Sequence, residues 1–131
     1  MRAMLADPTA HAPISPTAPG PDAAHRVLEH VFGYPAFRGE QQQIVEHVAA
    51  GGDALVLMPT GGGKSLCYQI PALLRDGTGL VVSPLIALMD DQVATLDELG
   101  VAAVALNSTL SAEEQRGIAE RVRRGEIKFL Y

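Results

Sequence analysis

The stretch ALVLMPTGGGKS, residues 54–65, decides how this chain is read. Ala54 to Met58 is a short apolar run that ends at Pro59 and Thr60, and three successive glycines then lead into Lys64 and Ser65. An apolar run of that length, bounded by Gly and Pro, reads as a strand feeding a loop. Glycines placed there let consecutive backbone N–H groups curl around phosphate oxygens, and the helix that follows adds the partial positive charge of its N-terminus. Lys64 would reach the β- and γ-phosphates as a point charge, and the Ser65 hydroxyl would ligate Mg²⁺. The full pattern G-x-x-x-x-G-K-[ST] is not met, because Met58 stands where its first Gly would be. The bland alternative is a flexible turn followed by an incidental Lys-Ser. It suits the glycine triplet alone, and suits it poorly between a strand and a helix.

Working outward, the punctuation stays regular. Upstream, Val27, Leu28, Val31 and Phe32 recur at helical spacing before Gly33, and Ile44, Val45 and Val48 mark a second amphipathic helix from about Glu40 to Ala50. Downstream, a helix from Lys64 to about Arg75 carries Leu66, Ile70, Leu73 and Leu74, and Pro71 must kink it or split it in two. Leu80 to Ser83 reads as a second buried strand, and Ile86, Met89, Val93, Leu96 and Leu99 line the next helix, with Asp90, Asp91, Asp97 and Glu98 on its wet face. Val101 to Leu106 is a third strand. Ser111 with Glu114 three residues later forms a capping box for a helix to about Arg123, and Ile127 to Tyr131 is a fourth strand. Strands alternating with helices imply right-handed crossovers, a parallel sheet and an α/β domain with ligands at the carboxyl ends of the strands.

Bulk properties set the limits. The 131 residues, 47% of them hydrophobic, suffice for one globular unit. Ten basic against fifteen acidic residues give a net charge of −5, which argues against a surface coated in positive charge, though not against a local phosphate-binding groove. No apolar stretch approaches the roughly 20 residues of a membrane span and no signal sequence is visible, so a soluble cytoplasmic protein without membrane contact is expected. Cys67 stands alone, which leaves no disulfide framework and makes a small buried hydrophobe its simplest role. His11, His25, His30 and His47 show no metal-ligand grouping. Pro8, Pro13, Pro16, Pro19 and Pro21 crowd the first 21 residues among Ala and Thr, so residues 1–22 are expected to be a disordered tail preceding the domain over 23–131.

Four motifs in fixed order resemble the RecQ type of DNA helicase. Phe32-Gly33-Tyr34, Phe37-Arg38 and Gln41 resemble its nucleotide-specificity motif, with Gly39-Glu40 standing where the family often has Pro-Gly. MPTGGGKSLCYQIPALL, residues 58–74, is similar to its phosphate loop and following helix, and the Pro-Thr-Gly entry resembles a variant that many helicases use. Residues 82–89 with Asp91-Gln92-Val93 look like the next motif, and Leu106-Asn107-Ser108-Thr109 like the one after. The resemblance covers about residues 25–131.

It implies a RecA-like domain with a phosphate loop, in a protein that uses ATP and Mg²⁺ to move 3′-to-5′ on single-stranded DNA and separate duplexes in repair or recombination. Thr60, Gly61, Gly62, Gly63, Lys64 and Ser65 would hold the triphosphate, with Lys64 the catalytic cation and Ser65 the metal ligand. Tyr34 would stack on the adenine, Gln41 would pair with its N6 donor and N7 acceptor, and Arg38 would support both. Phe32 and Phe37 read more simply as core anchors. Ser83, Pro84 and Leu85, and likewise Asn107, Ser108 and Thr109, would meet phosphates of a single strand, although turn chemistry explains both segments without the resemblance. Arg116, Arg121, Arg123, Arg124 and Lys128 read as exposed helix-end charge. Asp90 and Asp91 end an apolar run, but Pro84 immediately precedes that run and the strand ending at Ser83 leaves no room for a crossover, so a helix is expected there. The family's Asp-Glu motif and second motor domain are therefore expected beyond Tyr131, and the 131 residues alone are expected not to hydrolyse ATP. Two other readings stay open: a phosphate-loop kinase or switch NTPase acting on no DNA, and a non-catalytic nucleotide-binding fragment.

Overall fold

The computed structural model describes residues 2–5, 20 and 22–131, and it divides into two compact units, residues 1–76 and 77–131. In the first unit, α1 (Ala23–His30) and α2 (Gln41–Ala49) precede β2 (Ala54–Leu57), the phosphate-loop stretch and α3 (Leu66–Leu74). The apolar stripes anticipated from spacing form one cluster of Ala24, Leu28, Val45 and Ile70, and Val27, Phe32, Phe37, Leu66 and Leu74 pack against it. Phe32 and Phe37 are thus core-side residues. Burying each such aliphatic side chain contributes about 1.5–3 kcal/mol, which is what fixes α1, α2 and α3 against one another.

Helix ends follow local chemistry. At the end of α2 the Gly51 N–H bonds to the Val48 carbonyl and the Gly52 N–H to the His47 carbonyl, both at 3.0 Å. Gly51 has φ +98°, the left-handed geometry that this C-terminal motif requires. Pro71 neither splits nor ends α3: one helix spans Leu66–Leu74 with Pro71 inside and fully buried. The ring costs α3 the bond that a residue 71 N–H would make, and it is packed away from water. The helix also starts two residues later than Lys64, because Lys64 and Ser65 form a turn whose carbonyls receive the N–H groups of Cys67, Tyr68 and Gln69.

Two differences from expectation concern strands. Arg2–Leu5, within the segment expected to be a tail, forms β1 and pairs antiparallel with β2 in the register Arg2 with Leu57 to Leu5 with Ala54. Apart from Gly20 and Asp22, the rest of that segment lies outside the described residues. The phosphate-loop strand was expected in the parallel sheet, yet β1 is its partner here. Backbone N–H and C=O groups of an unpaired strand take whichever extended segment reaches them. Its side chains are not the buried run expected either, since Leu55 and Leu57 are 58% and 60% exposed.

The second unit holds β3 (Gly79–Leu80), α4 (Ile86–Glu98), β4 (Ala103–Val104), α5 (Ala112–Arg123) and β5 (Phe129–Leu130). The strand order is β3-β5-β4 and both pairings are parallel, as the strand–helix alternation requires. Alternate residues Ile127, Phe129 and Tyr131 are buried at the central strand, with Met89 and Leu96 of α4 and Ile118 of α5 completing the apolar set. β3 is shorter and wetter than the expected strand: Leu80 is 72% and Val82 99% exposed. Asp90 and Asp91 lie on α4, as read. The Ser111–Glu114 capping box is present, with the Glu114 N–H on Ser111 Oγ at 3.2 Å and the Ser111 N–H on Glu114 Oε2 at 2.7 Å. No helix among the described residues is long and apolar enough to cross a membrane.

Candidate nucleotide-binding site

The site is built where β2 gives way to α3. Gly61 and Gly63 have φ +79° and +76°, values that side chains on L-residues resist, and this alternation turns the loop back on itself. One internal bond, from the Gly62 N–H to the Pro59 carbonyl at 3.0 Å, holds the turn. None of the hydrogen bonds among the described residues uses the N–H of Gly61, Gly63, Lys64 or Ser65. A loop with several open amide donors at the head of a helix suits an anion.

Space reinforces the same conclusion. A Cβ on Gly62 would stand 3.0 Å from the Pro59 carbonyl oxygen, and one on Gly63 would overlap the Gln41 side-chain nitrogen. Lys64 is exposed, and its ammonium reaches back to the carbonyls of Met58 at 3.3 Å and Pro59 at 3.2 Å. Those neutral acceptors hold the cation over the loop, and an anionic phosphate oxygen would replace them with charge-assisted bonds. Ser65 makes no side-chain cap to α3, so its hydroxyl is available to a cation. Mg²⁺ suits a site with a single hydroxyl because it takes most of its ligands from water and substrate phosphates. Among the described residues no group of three or more His, Cys, Asp or Glu could hold a metal ion.

The upstream motif is assembled differently from what its residue types suggest. Tyr34 is 47% exposed, with its ring available for stacking, and its N–H is tied to the Leu28 carbonyl at 3.2 Å. Arg38 is exposed. Gln41 is only 3% exposed, and both ends of its amide have protein partners. Oε1 accepts from the Arg38 N–H at 2.8 Å, while Nε2 donates to the carbonyls of Gly63 at 3.2 Å and Gly62 at 3.4 Å. The amide expected to face the adenine is held by the phosphate loop in this structure. Sequence spacing could not show that link, because it joins a side chain to backbone 22 residues away. The preceding residue was also passed over as a site candidate: Glu40 Oε2 is buried with no hydrogen-bond partner among the described residues. Cys67 is buried, its Sγ lies 3.9 Å from the Gly63 carbonyl, and burial pushes its thiol pKa up, which keeps it an inert thiol.

In the second unit, Ser83 Oγ accepts from the Leu85 N–H at 3.4 Å, and Pro84 and Leu85 are exposed. Asn107 Oδ1 accepts from both the Thr109 N–H at 3.0 Å and the Thr109 hydroxyl at 2.6 Å, with Ser108 exposed between them. Much of the basic tract is internally neutralised: Arg123 meets Glu120 at 2.7 Å, and Arg124 and Arg121 meet Glu126 at 3.0 and 3.7 Å.

Comparison with known proteins agrees with the loop. The DEAD/DEAH box helicase family model matches residues 38–131, from the upstream motif through β5. The chain belongs to the DEAD/DEAH box helicase family. Within that family the resemblance to the RecQ type holds across the chain. This DEAD/DEAH box chain is 50% identical over 105 residues to the ATP-dependent DNA helicase RecQ of Haemophilus influenzae, covering 80% of this chain and 17% of that one. It is 46% identical over 107 residues to the probable ATP-dependent DNA helicase RecS of Bacillus subtilis, covering 81% and 21%. It is also 46% identical over 110 residues to the ATP-dependent DNA helicase Q-like 2 of Arabidopsis thaliana, covering 82% and 16%. The chain thus spans between 16% and 21% of the length of these relatives.

Proposed function

We propose that this chain is the ATP-binding part of a RecQ-type helicase that couples ATP hydrolysis to 3′-to-5′ movement on single-stranded DNA and to duplex unwinding, in the cytoplasm and in the service of repair or recombination. The observation that carries the reading is the loop from Pro59 to Ser65, with open amides at Gly61, Gly63, Lys64 and Ser65 and an ammonium parked on its own carbonyls. In use, the loop amides and Lys64 would hold the β- and γ-phosphates, and Mg²⁺ held by the Ser65 hydroxyl would neutralise developing charge on them. Tyr34 would stack on the base and Arg38 would support it. Ser83, Pro84 and Leu85, with Asn107, Ser108 and Thr109, would position the DNA backbone through short polar groups.

The acidic groups that orient the attacking water are not supplied by Asp90 and Asp91, which sit on α4. Residues 1–131 alone should therefore bind Mg·ATP without turning it over. The experiment is equilibrium binding of ATP to the chain and to Lys64→Ala, with steady-state hydrolysis measured beside single-stranded DNA. Removing a charged donor to phosphate should weaken ATP by at least about tenfold. Equal affinity in the two proteins would sink the assignment of the loop. DNA-stimulated turnover lost in Lys64→Ala would instead place the missing carboxylate within these residues. Filter binding of single-stranded DNA separates this reading from a kinase or switch NTPase.

A further inference from the structure

We infer that Gln41 sets the shape of the phosphate loop, so that it governs affinity for the triphosphate itself, whatever base is attached. The inference rests on the nucleotide-binding reading above and goes beyond base recognition.

Three observations converge. First, the Gln41 side chain is anchored at the start of α2: the Gln41 N–H donates to the Arg38 carbonyl at 3.1 Å, and the Arg38 N–H returns a bond to Gln41 Oε1 at 2.8 Å. Its far end is therefore held in one place. Second, that end donates to the carbonyls of Gly62 and Gly63, the two peptides that lead into Lys64. Each peptide whose carbonyl is drawn toward Gln41 turns its neighbouring N–H the other way, toward the open side of the loop. Third, the space a side chain on residue 63 would need is filled by the Gln41 amide nitrogen, and Gly63 adopts φ +76°. Glycine at 63 and glutamine at 41 thus act as one unit. Both ends of the amide are bonded within the protein, so this glutamine has a structural task beside any recognition of adenine. It is a positioning residue for the loop amides.

The alternative is a glutamine that merely fills space beneath the loop, and volume-conserving variants separate the two. Gln41→Met keeps the bulk and removes both bonds. Gln41→Glu keeps the shape and the acceptor for Arg38, and sets a carboxylate against the Gly62 and Gly63 carbonyls. The full 131-residue chain and both variants would be titrated with Mg²⁺ and ATP, GTP or inorganic tripolyphosphate, which has no base. Melting would be followed in parallel, along with the amide resonances of Gly62, Gly63 and Lys64 without nucleotide.

We expect Gln41→Met to weaken all three ligands by a similar factor, roughly five- to tenfold, and to shift those three resonances while leaving Leu96 in α4 unmoved. Gln41→Glu should weaken them further, since its charge also opposes the phosphates. Tripolyphosphate affinity unchanged in either variant, with the loss confined to ATP, overturns the inference and leaves Gln41 as a base reader. If Gln41→Met lacks a melting transition, the uncharged Gln41→Leu, which also removes both bonds, decides by the same criterion, because the charge of Gln41→Glu weakens tripolyphosphate by itself. A wild-type chain that binds none of the three ligands overturns the nucleotide reading itself, a result distinct from any loss seen only in the variants.

Discussion

The turn from β2 to α3 and the turn from β4 to α5 are built from the same kinds of residue, small and polar, between a short strand and an amphipathic helix. They resolve their backbone donors in opposite ways. Between β4 and α5, Asn107 Oδ1 takes the Thr109 N–H, the Asn107 carbonyl takes the Leu110 N–H at 3.4 Å, and Glu114 takes the Ser111 N–H. Between β2 and α3, one internal bond holds the turn, and the amides of Gly61, Gly63, Lys64 and Ser65 are among those with no acceptor among the described residues. The β4–α5 turn spends the donors of Thr109, Leu110 and Ser111 on its own acceptors, whereas the phosphate loop keeps a run of donors in an orientation that glycine backbone and an outside glutamine impose. Residue type alone did not separate the two, and the fate of the N–H groups does.

The strongest way to break the comparison is to give the open loop a side chain. Gly63→Ala must find room where the Gln41 amide sits and adopt a positive φ, so it should cost about 2–4 kcal/mol between strain and lost hydrogen bonding. Chemical denaturation with a parallel ATP titration checks it, and native stability with intact binding would show that the loop has slack this structure lacks. A smaller effect belongs to the self-satisfied turn: Ser111→Ala removes the acceptor for the Glu114 N–H and should cost about 1 kcal/mol with no change in ATP affinity.

Asn107→Ala sharpens the contrast. If the Asx turn is all that residue 107 provides, stability falls by about 0.5–1.5 kcal/mol and single-stranded DNA binding follows stability only. A larger loss of DNA affinity at constant stability, measured by fluorescence anisotropy, would give Asn107 a contact of its own. The smallest expected effect is titration of the α5 cap. Hydrogen bonds from the Ser111 backbone and side chain hold the Glu114 pKa below the usual carboxylate range. A carboxylate pKa depressed by folding contributes stability above its unfolded value, and that contribution fades as the pH falls through the folded value, here below about 4.5. Circular dichroism should show wild type losing slightly more helix than Glu114→Gln over that acid range, and parallel curves would assign the Glu114 charge no role.

What could be read from sequence followed from local rules. Helical spacing located Ile44 and Val45, Met89 and Leu96, and the Ser-x-x-Glu pattern gave the α5 cap to the residue. The glycines before Lys64 and Ser65 announced a tight turn between strand and helix, and Gly61 and Gly63 adopt the positive φ that glycine accepts most readily. Long-range partners were not legible. No pattern in residues 2–5 tells that their backbone pairs with β2, and Gln41 looks like any first-turn polar residue until its amide is seen against Gly62 and Gly63. Pro71 misled for a related reason: the penalty for proline in a helix is local and visible, while the packing that retains a buried ring is tertiary.

The β3-β5-β4 order carries a consequence for how the second unit comes into being. Among the described residues β3 and β4 each bond to β5 and not to each other, so neither has a sheet partner until Phe129 and Leu130 arrive between them. On a ribosome adding roughly 5–20 residues per second, the helices of this unit can begin to form as they emerge. The sheet cannot, since β5, which joins the other two strands, follows both of them in the chain. Leu80 and Val104 wait without each other through the synthesis of α5, and the two parallel pairings described in this unit close together once Phe129 and Leu130 reach the gap between them.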